Sequence, residues 1–193
     1  MSIAAEKSTA PVLVEPEYDL ARPVFLVGFM GAGKTSVARK LARMAKISSV
    51  DMDTYIERRE GKRIKEIFAE MGEDGFRAIE TEVLYELGCK APMLISCGGG
   101  VVLRKENRRA LSELGAVVYL QVTAKEAASR ISDVSTRPLF GDLENAQRTI
   151  NERLPLYEEV ADITVNTVGR GSTSIAYEVL DALKKEGILW QRK

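Results

Sequence analysis

Eight residues restrict this chain more than any others: Gly28-Phe29-Met30-Gly31-Ala32-Gly33-Lys34-Thr35, directly after the apolar run Val24-Phe25-Leu26-Val27. They fit Gly-x4-Gly-Lys-[Ser/Thr], the phosphate-binding loop, in the strand–loop–helix setting that the motif requires. The glycines let the backbone turn tightly and approach a polyphosphate. The backbone N–H groups and the start of the following helix, Gly31 through Ser36, then face the anion. Lys34 adds a mobile ammonium for the β- and γ-phosphates, and the Thr35 hydroxyl is placed for Mg2+. A dinucleotide-binding turn is the competing assignment, since Asp51 and Asp53 follow at a suitable distance. That fingerprint wants Gly or Ala where Ser36 stands and has no use for Lys34-Thr35. A nucleoside triphosphate is the expected ligand.

The remaining composition narrows the chemistry. Lys+Arg and Asp+Glu are balanced at 28 each in 193 residues, so no net field draws the chain to nucleic acid or an anionic membrane. Histidine is absent, which leaves carboxylates, Lys, Arg and Mg2+ to do the work. Cys89 and Cys97 lack metal-type spacing and indicate a reducing compartment. No apolar run reaches membrane-spanning length, and Glu6, Glu15, Glu17 and Asp19 interrupt any signal-like core. A cytoplasmic monomer is expected, with no nucleic-acid or membrane partner. Residues 1–21 are expected to form a flexible extension and 22–193 a single domain.

Beyond the loop, apolar spacing predicts a helix over 35–45, with Val37, Leu41 and Met44 on one face. Residues 47–53 read as a second strand ending in Asp51 and Asp53. Helical stretches over 54–60 and 64–87 are interrupted at Gly61 and Gly72. Residues 92–97 form a third strand, stopped by Gly98-Gly99-Gly100. A helix over 104–114 leads to a fourth strand at 116–120. Thr123 followed by Glu126 marks a helix start, with the helix running to about 132. A loop at 133–144, a helix over 143–161, a fifth strand at 162–165 and a last helix at 174–186 complete the chain. Short β-branched strands alternating with helices specify a parallel sheet covered on both faces, with ligands beyond the carboxyl ends of its strands.

Phosphate binding does not separate a kinase from a nucleotide switch, so the other side of the cleft decides. Asp51 and Asp53 project to one side if the strand runs through them, and could then serve Mg2+ or a hydroxyl; the alternative is an N-cap for the helix from Thr54. Three glycines at a strand end suit close approach to a ligand, or form a plain loop. Arg77 pairs with Glu80 at i, i+3 as a helix-surface alternative, while Arg137 and Arg153 alone are as well explained as solvated cations. Cys97 and Phe76 are packing residues.

In order along the chain stand Gly28-x-x-Gly31-x-Gly33-Lys34-Thr35, Asp51-x-Asp53, Gly75-Phe76-Arg77-x-x-Glu80, Gly98-Gly99-Gly100, Arg137-Pro138-Leu139 and Arg153-x-Pro155-x-Tyr157. This series closely resembles the shikimate kinase family, over about residues 23–185. The resemblance implies a three-layer α/β/α P-loop kinase of the nucleoside-monophosphate-kinase type, with a five-stranded parallel sheet in the order 2-3-1-4-5. It also implies a substrate-binding segment at about 54–87 and a lid at about 133–144. The implied reaction is MgATP-dependent phosphorylation of the 3-hydroxyl of shikimate, on the chorismate route to aromatic amino acids. Lys34, Asp53 and Arg137 are the implied catalytic residues. ATP falls to Gly31, Ala32, Gly33, Lys34, Thr35, Ser36, Arg137 and, on a loop that varies in the family, Arg170. Shikimate falls to Asp53, Arg77, Gly99 and Arg153, and one Mg2+ to Thr35, with Asp51 acting through water.

The chemistry agrees from below. A guanidinium matches a carboxylate in two parallel bonds, and an ionised Asp53 can only accept, which suits the hydroxyls of a polyol and repels a second anion. That acid argues against a nucleoside monophosphate as acceptor; gluconate is the remaining small-molecule alternative. A switch that hydrolyses ATP slowly would need a partner surface for which the sequence shows no adjoining module.

Overall fold

The computed structural model describes residues 18–130 and 143–192. Among them the chain runs β1 (Tyr18–Leu20), β2 (Val24–Val27), α1 (Lys34–Ala45), β3 (Ser49–Asp51), α2 (Met52–Glu60), α3 (Ile64–Gly88) and β4 (Leu94–Ser96). A single 3-10 turn at Val101–Leu103 precedes α4 (Lys105–Leu114), β5 (Ala116–Gln121), α5 (Ala124–Ser129), α6 (Leu143–Val160), β6 (Ile163–Asn166), α7 (Ser172–Lys185) and β7 (Leu189–Gln191).

Every residue of β2 is buried, and the period of two sends its side chains into two different cores. Val24 and Leu26 join Leu41 of α1 and Val179 of α7 on one face. Phe25 and Val27 join Leu84 of α3 and Leu111 of α4 on the other. A strand apolar on both faces belongs in the middle of a parallel sheet. Its place is the centre of the order β3-β4-β2-β5-β6, with every pair parallel. Counted from β2, this is the order that the family resemblance implies. The winding reverses at β2, so a crevice opens over the carboxyl ends of the central strands.

Two boundaries differ from expectation. Residues 18–21 belong to the fold rather than to an extension: β1 pairs antiparallel with β7, Leu20 opposite Leu189, and the Ala21 N–H donates to the Ile188 carbonyl at 2.9 Å. Strands of three residues carry no readable periodicity, and their partners lie at opposite ends of the chain. Leu20 and Leu189 seat this ribbon in the α1/α7 core. The second strand, in turn, stops at Asp51, because α2 begins at Met52. The break expected at Gly72 is present, with φ 69° and ψ −174° inside α3.

Leu189→Ala removes a side chain that is 1% exposed and is expected to cost about 2–5 kcal/mol of unfolding free energy in urea titration. A loss well below that range would mean that the ribbon is peripheral to the core.

Candidate active site

The phosphate loop follows β2 and ends in α1. Gly31 has φ 78°, and a Cβ there would lie 2.7 Å from the Ala127 carbonyl oxygen, so only glycine lets the loop pass α5. α1 starts from Gly33 with no side-chain cap and no acidic residue in its first turn. Its N–H groups and the positive end of its dipole are therefore left for an anion. The Lys34 side chain is curled back on the loop, with Nζ donating to the carbonyls of Gly28 at 2.8 Å and Phe29 at 3.1 Å.

The Thr35 hydroxyl donates to Asp51 Oδ2 at 2.7 Å and lies 3.1 Å from the Ser96 hydroxyl. These are hard oxygen donors, the set that suits Mg2+ alongside water and phosphate. Asp51 also caps α2, accepting from the Thr54 N–H at 3.0 Å and the Thr54 hydroxyl at 3.1 Å. The N-cap alternative for this acid thus holds, and its other oxygen faces Thr35. Burial pushes its carboxyl up, but the bonds from Thr35, the Thr54 backbone and side chain, and Ser96 together hold it below its ordinary range.

Asp53, in the first turn of α2, lines the same cleft as Asp51 and the phosphate loop, a space of about 630 Å³. The two acids reach it from a strand end and a helix turn, not from one continued strand. Gly31, Ala32, Gly33, Lys34, Thr35, Ser36, Gly99 and Arg170 also line it.

The triple glycine is where the other predicted residues meet. A Cβ on Gly98 would sit 2.9 Å from an oxygen of Asp53 and 2.9 Å from one of Glu80. Gly99 packs 3.4 Å from the Met30 nitrogen of the phosphate loop, measured from the same hypothetical atom. Its carbonyl accepts from Arg153 Nη1 at 3.3 Å and from the buried Tyr157 hydroxyl. A Cβ on Gly100 would lie 2.3 Å from Arg77 Nη2. Arg77 and Arg153 therefore stand beside the cleft at its glycine wall and are not among the residues that line it.

Arg77 is held by Glu80 through Nη1 at 2.8 Å and lies 5.2 Å from the centre of the Phe76 ring. Glu80 is 1% exposed; burial pushes its carboxyl up, opposed by Arg77 and reinforced by Asp53. Arg153 lies 5.9 Å from the centre of the Phe29 ring. The Cys97 thiol borders the cleft, and burial pushes its pKa up, so it is a neutral wall. Arg137 and residues 133–142 of the segment expected to form a lid lie outside the described residues, while 143 and 144 begin α6.

Two residues were not singled out by sequence. Tyr157 is one, although its motif was noted. Arg130 is the other: it lines the cleft and donates to the Thr167 carbonyl at 2.6 Å and to Glu126 at 2.8 Å. In sequence the Glu126–Arg130 pair looks like an ordinary i, i+4 helix pair. Thr123 does cap α5, but the Glu126 carboxylate turns to Arg130 and the Gly169 N–H. The Arg170 guanidinium is tied to the Asn166 carbonyl at 3.0 Å, to Ser174 and to Glu178.

Fold and phosphate loop define a P-loop phosphotransferase, with an acid and two guanidinium groups beside its triple glycine. The shikimate kinase family profile matches residues 30–184. A shikimate kinase of Actinobacillus succinogenes is 43% identical over 84% of this chain and 95% of its own length. One from Vibrio parahaemolyticus is 41% identical over 85% and 97%. A solved shikimate kinase from Acinetobacter baumannii, in complex with shikimate, superposes with a TM-score of 0.80 at 36% identity, over 86% of this chain and 94% of that one. The chain belongs to the shikimate kinase family. A gluconokinase from Sinorhizobium meliloti, 19% identical with a TM-score of 0.56 over 87% of this chain and 94% of its own, shares the fold alone. No helix among the described residues is long and apolar enough to cross a membrane.

A carboxyl whose native pKa is lowered stabilises the fold above its unfolded value of 3.8 and loses that contribution as pH falls through the native value. Asp51→Asn, which removes this acid and weakens the cap, is expected to cost about 1–2 kcal/mol near neutral pH and progressively less below about pH 4. Urea unfolding of both proteins across that range checks it. A difference that stays constant into acid would show that the carboxylate charge contributes nothing.

Proposed function

We propose that this chain transfers the γ-phosphoryl group of ATP to the 3-hydroxyl of shikimate, giving shikimate 3-phosphate. One observation supports this most: Asp53, Arg153 and Arg77 meet three consecutive glycines that back onto the phosphate loop. An acid and two guanidinium groups around one wall suit a ring that carries hydroxyls and a carboxylate.

The loop amides and the α1 terminus take the β- and γ-phosphates, and Lys34 exchanges the loop carbonyls for phosphate oxygens. Thr35, with Asp51 through water, would hold one Mg2+, which when bound neutralises phosphate charge. Arg77 and Arg153 hold the carboxylate of shikimate, and Gly99 offers its backbone at the ring. Asp53 accepts from the attacking hydroxyl and takes its proton late. A loose phosphoryl transfer needs little base strength, so positioning and charge compensation carry most of the barrier reduction. Arg130, Arg170 and the start of α7, which line the same cleft, would receive the nucleotide base.

On this reading the protein acts in the cytoplasm as a monomer, and its balanced charge gives it no pull toward nucleic acid or an anionic membrane.

A coupled assay of ADP release tests the acceptor, with shikimate stimulating turnover and gluconate, AMP and CMP leaving it at the basal rate. Asp53→Asn is expected to lower shikimate-dependent turnover at least about 100-fold with ATP binding nearly intact. Stimulation by another acceptor, or near-normal turnover in the variant, would contradict the reading.

A further inference from the structure

Arg77 meets a second carboxylate besides Glu80. Its Nε and Nη2 both point to one oxygen of Glu73, at 3.4 and 3.3 Å. Nε with one Nη forms an edge on which a guanidinium takes a carboxylate in two parallel bonds. Glu73 fills that edge poorly, because one oxygen serves two donors at the long limit of hydrogen-bond distance. The partners also differ in exposure: the Glu73 side chain is 63% exposed and the Arg77 side chain 13%. Local geometry brings them together. Gly72 breaks α3, Glu73 opens its second half, and Arg77 follows one helical turn later. The other edge is anchored differently, by Glu80, which is almost wholly buried.

We propose that Glu73 is a built-in stand-in for the acceptor's carboxylate: it occupies the Nε/Nη2 edge of Arg77 until the acceptor displaces it, and so sets both affinity and selectivity. The inference rests on the shikimate reading above. Binding exchanges one carboxylate for another, so the Arg77 charge is compensated before and after. A neutral polyol brings nothing that can displace Glu73 and gains nothing from Arg77, which disfavours it without any clash. The cost of that selectivity is competition, and the acceptor binds more weakly than the guanidinium alone would allow.

The test is calorimetric titration of shikimate into the wild-type protein and Glu73→Gln. Exposed ion pairs are worth a factor of up to about five in an equilibrium. The variant is therefore expected to bind shikimate about two- to fivefold more tightly, with kcat and the KM for ATP unchanged. The methyl ester of shikimate, which lacks the negative charge, is expected to bind both proteins equally. Unchanged or weaker shikimate binding in the variant overturns the proposal and assigns Glu73 to holding Arg77 in place, as does an equal gain for the ester. A wild-type protein that takes no shikimate overturns the underlying reading as well, and that result is read before the variant is compared.

Discussion

The close approach of bare backbone at residues 98–100 is the constraint on which the site depends. β4 ends beside β2, and the chain leaving it must pass between the phosphate loop and the helices that carry Asp53 and Arg77. Three consecutive glycines leave room for a different neighbour at each step: two carboxylates at Gly98, the loop backbone at Gly99 and a guanidinium at Gly100. A side chain at Gly98 would press on Asp53 and Glu80, and one at Gly100 on Arg77. Phosphoryl transfer depends on holding donor and acceptor in line more than on strong acids or bases. The glycine wall is thus a device for proximity.

The charged groups of the site have partners within the chain. Lys34 rests on two carbonyls of its own loop, and Arg77 lies between Glu80 and Glu73. Asp51 collects hydroxyl and amide donors from Thr35 and Thr54. Each of these groups would be costly if buried alone. The internal partners hold these side chains in place, and under the proposed function substrate binding exchanges partners and leaves no charge bare. Such exchange keeps the cost of ordering small, which is the energetic content of preorganisation.

Much of this was legible in the sequence because its signals are local. The phosphate loop, the five parallel strands, the break at Gly72 and the Thr123 cap are each set by a few adjacent residues. Where the reading fell short, distant pairing decided. β1 was assigned to an extension because its partner β7 lies at the other end of the chain. Asp51 and Asp53 were read along one strand, whereas the N-cap bond to Thr54 starts a helix between them. Arg130 was passed over because its partners, Thr167 and the carbonyl of Arg170, come from a distant loop. The ordered motif series groups these side chains, and the fold adds why: Asp53, Arg153 and Arg77 are neighbours of successive glycines.

The most direct measurement is shikimate and ADP affinity, by calorimetry, for Gly100→Ala. The three atoms nearest the added methyl would all belong to the Arg77 guanidinium, a side-chain end with no backbone among them, so the fold should persist while the guanidinium moves. Losing a charge-assisted pair of bonds to the carboxylate predicts shikimate binding weaker by at least about tenfold, with ADP affinity retained. Wild-type affinity for shikimate in this variant would contradict the account, because the wall would then not place Arg77 against the acceptor.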